Sequence, residues 1–579
     1  MHISVKKTKN NEFIYIQQSF RTSAGKTSSK IFRSLGTVDD LKDQLKTDRA
    51  GVLAWARKEA EKDTEEFKSE NEKVTISLLP NISIKKDCER EFNCGYLFLQ
   101  SICSSLRFDN IVRNIKAKHK FEYDLEAILS DLVYARVLEP SSKANSYDYC
   151  RKLLESPKYE LHDVYRALSV LAGSSDYIQS EVYQNSQFLH KRKTDVLYYD
   201  CTNYYFEIEQ EDEFRKYGKS KENRPNPIVG MGLFMDKEGF PLAFGLHPGN
   251  MNEQLTLQPL EKKVISDFNC SKFIYCSDSG LGSAKNKLFN DMGNRSYVIT
   301  QSLKKLKAET RSAALDPAQY RRVGSKAFID LRDLDESDPA VFDSIYYKEI
   351  PVESKAISET MIVTYSPKNK KYQRTIRDNQ IQRAEHMIDS KGSLKSSRRN
   401  PNDPARFLKK TAVTENGEAA GHTFCEIDEE KIAQEEMYDG FYAVVTDIEG
   451  DVNQIIEINK RRWQIEECFR IMKTDFNARP VYLSRQDRIE AHFLICFLSL
   501  LVYRMLEAKL DKKYTAEQII DTLRGMNTLA VEGYGYIPAY KRTDLTDKLH
   551  GFDRTAASCD AFHRNLDWLD RFTGYPDVF

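Results

Sequence analysis

The sequence has no Cys-x-x-Cys pair; its eleven cysteines, at 88, 94, 103, 150, 201, 270, 276, 425, 468, 496 and 559, are scattered. That scatter argues against a disulfide framework or a zinc site and fits reduced cytosolic thiols. Charge of one sign is lacking too, since Lys+Arg and Asp+Glu both number 87. A DNA-binding chain is usually basic, so the global balance lends that class no support and any basic surface must be local. No apolar run is long enough to span a bilayer. The longest, Phe493–Val502, is bounded by His492 and Arg504 and is expected to be a buried core helix. The opening MHISVKKTKNNEF lacks the apolar segment of a secretion signal. These absences leave a large soluble chain, expected in the cytoplasm without a membrane partner. Its 579 residues imply roughly two to four domains.

What is present has a changing texture. Residues 11–35 alternate as a hairpin with a turn at Ser23-Ala24-Gly25, and a charge-rich helical stretch runs from Val38 to Lys73. A first module of hairpin plus helix is thus expected over 1–90. Residues 91–190 are patterned as helices, as in LEAILSDLVYARVL, and are divided by Glu139-Pro140-Ser141-Ser142. From Thr194 strands are expected at Val196–Asp200, Pro227–Met235 and Pro241–His247, then a helix over Glu253–Asp267. Further strands follow at Phe273–Ser277 and Ser296–Gln301. Three meandering strands, a helix, a strand, a helix and a strand is the order of a ribonuclease-H-like sheet. That core is placed at 194–302 and resumes at 438–510. Between them, 303–437 holds short strand candidates and a basic middle. Lys368–Lys410 contains 13 Lys+Arg against four Asp+Glu, with Tyr372 and Phe407 interleaved. The last stretch, 511–579, has helical patterning. The expected class is α/β: a ribonuclease-H-like core interrupted by a β-strand-rich insertion, with N-terminal hairpin and helical modules and a helical C-terminus.

Three acids carry the candidate chemistry. Asp200 closes the apolar strand VLYYD, at the end where open α/β sheets place ligands. Asp278 repeats the arrangement after FIYCS. Taken singly, each is better explained by a turn or a helix cap; two strands of one sheet, each ending in Asp, shift the balance toward the functional reading. The third site is the helix NKRRWQIEECFRIMKTDF. At about 100° per residue, Arg462, Glu466, Phe469 and Lys473 share one stripe, beside a buried stripe of Ile465, Cys468, Met472 and Phe476. Glu467 is expected to face solvent, and Trp463 to pack against a neighbouring element. A solvated helix laced with Glu–Arg and Glu–Lys pairs is the alternative. His247 and His492 show no ligand spacing, which leaves them packing or surface roles.

Carboxylates without His or Cys partners prefer Mg²⁺ or Mn²⁺. Two such ions about 4 Å apart activate the attacking oxygen and stabilise the leaving oxygen of a phosphodiester displacement. Arg462 and Lys473 would grip phosphate on either side. Such a basic flank suits nucleic-acid cleavage better than glycoside hydrolysis, which needs only two carboxylates. A metal pair requires the three carboxylates to converge within about 4–6 Å of a common point.

At this helix the sequence resembles the DDE transposases of the IS4-like superfamily, whose signature is Tyr, two residues, Arg, three residues, Glu, six residues, Lys. Arg462, Glu466 and Lys473 match in register. Asp200-Cys201-Thr202 resembles the first-Asp motif and Cys276-Ser277-Asp278-Ser279-Gly280 the second. Tyr217-Gly218-Lys219-Ser220-Lys221 and His247-Pro248-Gly249-Asn250 resemble intervening blocks. The opening hairpin, the EPSSK segment and RPVYLSRQDRIEAHFLICFLSLL are similar to the IS1634-like branch. The resemblance implies an insertion-sequence transposase that cleaves transposon ends and transfers strands into target DNA. It further implies a dimer on double-stranded DNA, with Asp200, Asp278 and Glu466 as metal ligands. Arg462, Lys473 and Asn459 fall at DNA-contacting positions, and 91–190 is the natural end-binding module. Asn459 replaces the family's tyrosine; its amide supplies a hydrogen bond but no ring. Two alternatives stay open: a metal-dependent nuclease without strand transfer, and a non-catalytic DNA-binding relic.

Overall fold

In the computed structural model the described residues are 1–8, 11–21, 27–70, 88–352, 357–389, 403–412, 423–531 and 535–553. One compact unit covers Met1–Glu89 and a second begins at Arg90. In the first, His2–Lys7, Glu12–Arg21 and Thr27–Thr37 pair antiparallel, so the expected hairpin gains a strand before it. Its expected turn at Ser23-Ala24-Gly25 lies outside the described residues. The single helix expected from Val38 is two, Val38–Leu45 and Arg49–Glu70. Lys46 takes a left-handed backbone (φ 49°) and stops the first. Thr37 starts it by accepting a hydrogen bond from the Asp40 N–H. Ile14, Val38, Leu41, Val52 and Ala56 make a small core.

The second unit is built on a ten-stranded mixed sheet. In chain order its strands are β1 (Val196–Tyr205), β2 (Ile228–Asp236), β3 (Pro241–Pro248), β4 (Ile274–Ser277) and β5 (Ser296–Thr300). They continue with β6 (Tyr320–Arg322), β7 (Phe328–Ile329), β8 (Tyr346–Val352), β9 (Glu359–Tyr365) and β10 (Phe441–Thr446). Across the sheet the order is β7-β6-β8-β9-β10-β5-β4-β1-β2-β3. β1, β2 and β3 form an antiparallel meander, while β4 pairs parallel to β1 and β5 parallel to β4. β6, β7, β8 and β9, from within 303–437, extend this same sheet, because β10 pairs with β5 on one side and β9 on the other, whereas Leu408–Ala412 and Thr423–Ile427 pair with each other as a separate two-stranded sheet.

Six helices matter below: α1 (Leu125–Leu138), α2 (Lys143–Cys150), α3 (Pro367–Asp389), α4 (Val452–Lys460), α5 (Trp463–Arg470) and α6 (Gln486–Lys509). α6 contains the expected core helix. Its length and composition would suit a membrane span, but 94% of its apolar window is buried inside the protein. The segment after 511 is not wholly helical, which corrects that expectation. Asn527–Val531 and Gly535–Pro538 pair with each other and with Glu91–Asn93, three short strands that satisfy one another's backbone groups.

Beneath the β2–β3 turn lies a fully buried ion pair, Arg192 with Asp236. Asp236 Oδ1 also accepts the Glu238 and Phe240 N–H groups at 3.0 Å, and Arg192 donates to the Pro241 carbonyl at 3.0 Å. Arg192→Ala leaves that carboxylate buried without its cation. We expect a loss of about 3–5 kcal/mol in urea unfolding; a loss below about 1 kcal/mol would show that the pair does not hold the turn.

Candidate active site

The pairing of β1 with β4 brings two acids together. Their last parallel pair is Tyr198 opposite Cys276. Two residues further along each chain stand Asp200 and Asp278, and neighbouring strands are only about 4.8 Å apart. β1 continues to Tyr205, so Asp200 lies within the strand and not at its C-terminal end. What ends beside it is the β4 ladder. Asp278 caps the short helical turn Ser279–Leu281 by accepting the Gly280 N–H. The capping role and proximity to Asp200 therefore coexist.

Strand alternation puts Tyr198, Asp200, Thr202 and Tyr204 on one face of β1. Tyr198 donates to the Ile458 carbonyl at 2.9 Å, and the Tyr204 hydroxyl meets Met472 Sδ at 3.9 Å. The segment from α4 through α5 thus crosses this face, with Asp200 beneath its middle. That middle carries Arg462 and Glu466. Burial raises the Asp200 carboxyl to about 6; Lys221, the Cys201 N–H and Arg462 pull it down, while the nearby Asp278 charge pushes it up. Arg462 is itself held above its ordinary value despite burial, by Tyr442, Glu466 and Asp200.

Glu466 departs from expectation. Its carboxylate is 56% exposed and pairs with Arg462 at 3.0 Å. Among the described residues no group of three or more His, Cys, Asp or Glu side chains is arranged to hold a metal ion. The expected convergence of three carboxylates is therefore not met: Asp200 and Asp278 are neighbours, and Glu466 turns to the guanidinium between them and itself. The physical reason is charge. A third carboxylate beside two others is repelled, and a cation one helical turn away is a better partner.

The expected regular helix is also interrupted. α4 ends at Lys460, α5 begins at Trp463, and Ile471–Asp475 forms a π-helical turn. The wider turn rotates Lys473 off the Glu466 stripe. Lys473 instead pairs with Glu222 at 3.4 Å, 5.4 Å above the Tyr204 ring, and burial lowers its ammonium from the ordinary value. Ile465, Cys468, Met472 and Phe476 are buried as expected, but so is Phe469. Glu467, expected in solvent, binds Arg504 at 3.0 Å, and Trp463, expected to be packed, is 56% exposed. Asn459 is half-buried, and its side-chain oxygen has no hydrogen-bond partner. His247 and His492 are buried.

Three charged residues escaped the sequence reading. Lys221 donates to the Cys201 carbonyl and pairs with Glu253 at 3.4 Å. Glu222 joins Lys473 to Arg479, the latter at 2.8 Å. The signal for Lys221 was the block Tyr217–Lys221, and the reason for that block is now visible. A side chain at Gly218 would meet the Gly249 carbonyl at 2.1 Å, so the two intervening blocks are pressed together beside Asp200. In the basic segment, Lys368, Lys370, Arg377, Arg406 and Lys409 are ion-paired to acids, and Phe407 is buried. Lys371, Tyr372 and Arg374 of α3 stay exposed. A cleft of about 420 Å³ runs from Ser279, next to Asp278, past Tyr442 to Arg377 and Arg406.

The model of the transposase DDE domain matches residues 191–502, more than half of the chain and all of the site just described. The chain belongs to the DDE transposase family. Members of this family generally use divalent metals. The piggyBac transposase synaptic complex with hairpin DNA is similar over 84% of this chain and 85% of that one, at 10% identity and a TM-score of 0.34. The Mos1 transposase paired-end complex with the left transposon end is similar over 42% of this chain and 66% of that one, at 14% identity and a TM-score of 0.14. No curated protein matches the chain.

In this DDE transposase the residues present fit a hard cation, because two adjacent carboxylates, one with its proton affinity raised partly by the other, would both be relieved by a shared positive charge. The sign for pH follows. Asp200 binds its proton more tightly folded than unfolded, so its contribution disfavours the folded state as pH rises from about 3.8 to about 6. A cation competes with that proton. Followed by thermal shift, apparent Mn²⁺ affinity should climb about tenfold per pH unit below 6 and level off above it. Asp200→Asn should abolish both the binding and its pH dependence. Affinity independent of pH between 5 and 7 would contradict this.

Proposed function

We propose that the chain is the transposase of an insertion sequence, of the IS4-like superfamily and its IS1634-like branch. It would cut transposon ends and join them to target DNA by in-line phosphodiester displacement. The observation that carries this reading is the register of β1 and β4, which sets Asp200 beside Asp278 directly under the segment bearing Arg462 and Glu466. The sheet order β3-β2-β1-β4-β5, with β4 and β5 parallel to β1, supports the ribonuclease-H-like reading of the core.

Asp200, Asp278 and Glu466 would hold Mg²⁺ or Mn²⁺, two ions in the reading favoured here, and Glu466 would leave Arg462 to do so. Such metal ions supply a nucleophilic oxygen at neutral pH and charge stabilisation for the leaving oxygen. The protein's own groups do the rest. Arg462, freed from Glu466, donates to a phosphate next to the cut. Lys473 and Arg479 exchange Glu222 for backbone phosphates. Lys221 steadies the strand carbonyl beside Asp200. Asn459 offers an amide toward DNA where the family's tyrosine would stand. The cleft from Ser279 to Arg406 gives a strand a route past Asp278, and the exposed face of α3 adds Lys371 and Arg374. Double-stranded DNA is the partner, residues 91–190 the proposed end-binding module, and a homodimer the proposed active state.

Asp200→Ala, Asp278→Ala and Glu466→Ala are each expected to reduce end cleavage at least a thousandfold in Mg²⁺, about 4 kcal/mol of barrier, while gel-shift binding of the ends persists. Cleavage surviving in any of the three removes that residue from the site. A strand-transfer assay on supercoiled target separates the alternatives: joined product is expected, nicks without joining indicate a nuclease, and binding without either indicates a relic.

A further inference from the structure

Two side chains from the helical part of the second unit converge on one turn. The turn is Phe476–Ala478, which follows the π-helical turn carrying Lys473 and precedes Arg479. From α1, Arg136 donates to the carbonyls of Phe476 at 3.1 Å and Asn477 at 3.3 Å, with another nitrogen on Ser141 at 2.9 Å. From α6, His492 Nε2 lies 3.0 Å from the Ala478 carbonyl. Burial and the nearby charges of Lys143 and Arg136 keep His492 neutral, so Nε2 carries the proton that meets this carbonyl. Lys143, first residue of α2, is buried in the same place, and its ammonium has no hydrogen-bond partner.

The turn needs such help. Asn477 sits at φ 41°, in the left-handed region. The Ala478 N–H bonds back to the Met472 carbonyl and the Phe476 N–H to that of Ile471, so neither donor is left for the carbonyls of the turn itself. The carbonyls of 476, 477 and 478 face into the protein, and among the described residues Arg136 and His492 are the side chains that meet them there. On the outer side the same few residues present Lys473 and Arg479 to Glu222. Two cations spaced to share one carboxylate are spaced to share one phosphate.

We infer that Arg136 and His492 are positioning residues, which hold the 476–478 turn from behind so that Lys473 and Arg479 face DNA phosphate as a pair. This rests on the phosphate role proposed for Lys473. It gives part of the 91–190 region a task in cleavage: Arg136 lies far from Lys473 in sequence yet sets where its ammonium stands.

The test measures binding of the full-length protein to a short duplex of arbitrary sequence across a salt series. The slope of log affinity against log salt counts the phosphates neutralised, about 0.9 per contact. Lys473→Gln should flatten the slope by about one contact. Arg136→Gln, which touches no DNA, should flatten it by one to two, and the double variant should add little to that. A merely structural role would lower the melting temperature and leave the slope of the folded fraction at the wild-type value, which would overturn the proposal. If Lys473→Gln and Arg479→Gln both leave the slope unchanged, the phosphate role itself fails and this inference with it. Should Arg136→Gln not fold, His492 gives the same reading. His492→Gln keeps an amide donor for the Ala478 carbonyl and should hold the slope, whereas His492→Leu should flatten it. Equal slopes for the two would overturn the proposal.

Discussion

The parallel pairing of β1 with β4 is the constraint on which the site depends. Parallel strands cannot slip by one residue without turning every side chain to the opposite face. Here one face of β1 holds Leu197, Tyr199 and Cys201 in a core with β2, β4 and the helix Leu257–Asp267. The other holds Tyr198 and Tyr204 against α4 and the π-helical turn. With both faces filled, the register is fixed from both sides, and Asp200 and Asp278 are held near each other whatever their mutual repulsion costs. Arg462 and Lys221 reduce that repulsion, from above and from the neighbouring loop.

Charge pairing accounts for most of what surrounds the acids. Glu466 takes Arg462, and Glu222 takes both Lys473 and Arg479. Each is a carboxylate on a cation that the proposed chemistry needs for phosphate. On the proposed function, each of these carboxylates stands where a DNA phosphate would bind and would be displaced by it. The helical module contributes from the buried side, where backbone carbonyls of the connecting turn are met by donors on α1 and α6.

Much of the sheet was legible, because β2, β3, β4 and β5 have apolar runs bounded by turn residues, and Asp278 directly follows β4. The end of β1 was not legible. CTNYY lacks the aliphatic texture of VLYYD, and only the meander partner β2 keeps it extended to Tyr205. The stripe of Glu466 was correct for the buried face and wrong for Lys473, since a π turn leaves no mark on periodicity. Glu467 and Trp463 were exchanged in exposure because Arg504, a buried cation on α6, attracts Glu467, a tertiary pairing invisible in local sequence. The basic excess of 368–410 is plain in composition, yet several of its cations answer acids dispersed over 336–439, a pairing that composition does not show.

We propose that Asp200, Asp278 and Glu466 hold one shared metal centre, with Glu466 leaving Arg462 to reach it. Iron-directed backbone cleavage tests it most directly: Fe²⁺ replaces Mg²⁺ on the DNA-bound protein, and ascorbate with peroxide cuts the chain only near the bound ion. The account predicts three cuts, near residues 200, 278 and 466, all suppressed by excess Mg²⁺ and by Asp200→Asn. Cuts near 200 and 278 without one near 466, or Mg²⁺-competed cuts elsewhere, would contradict it.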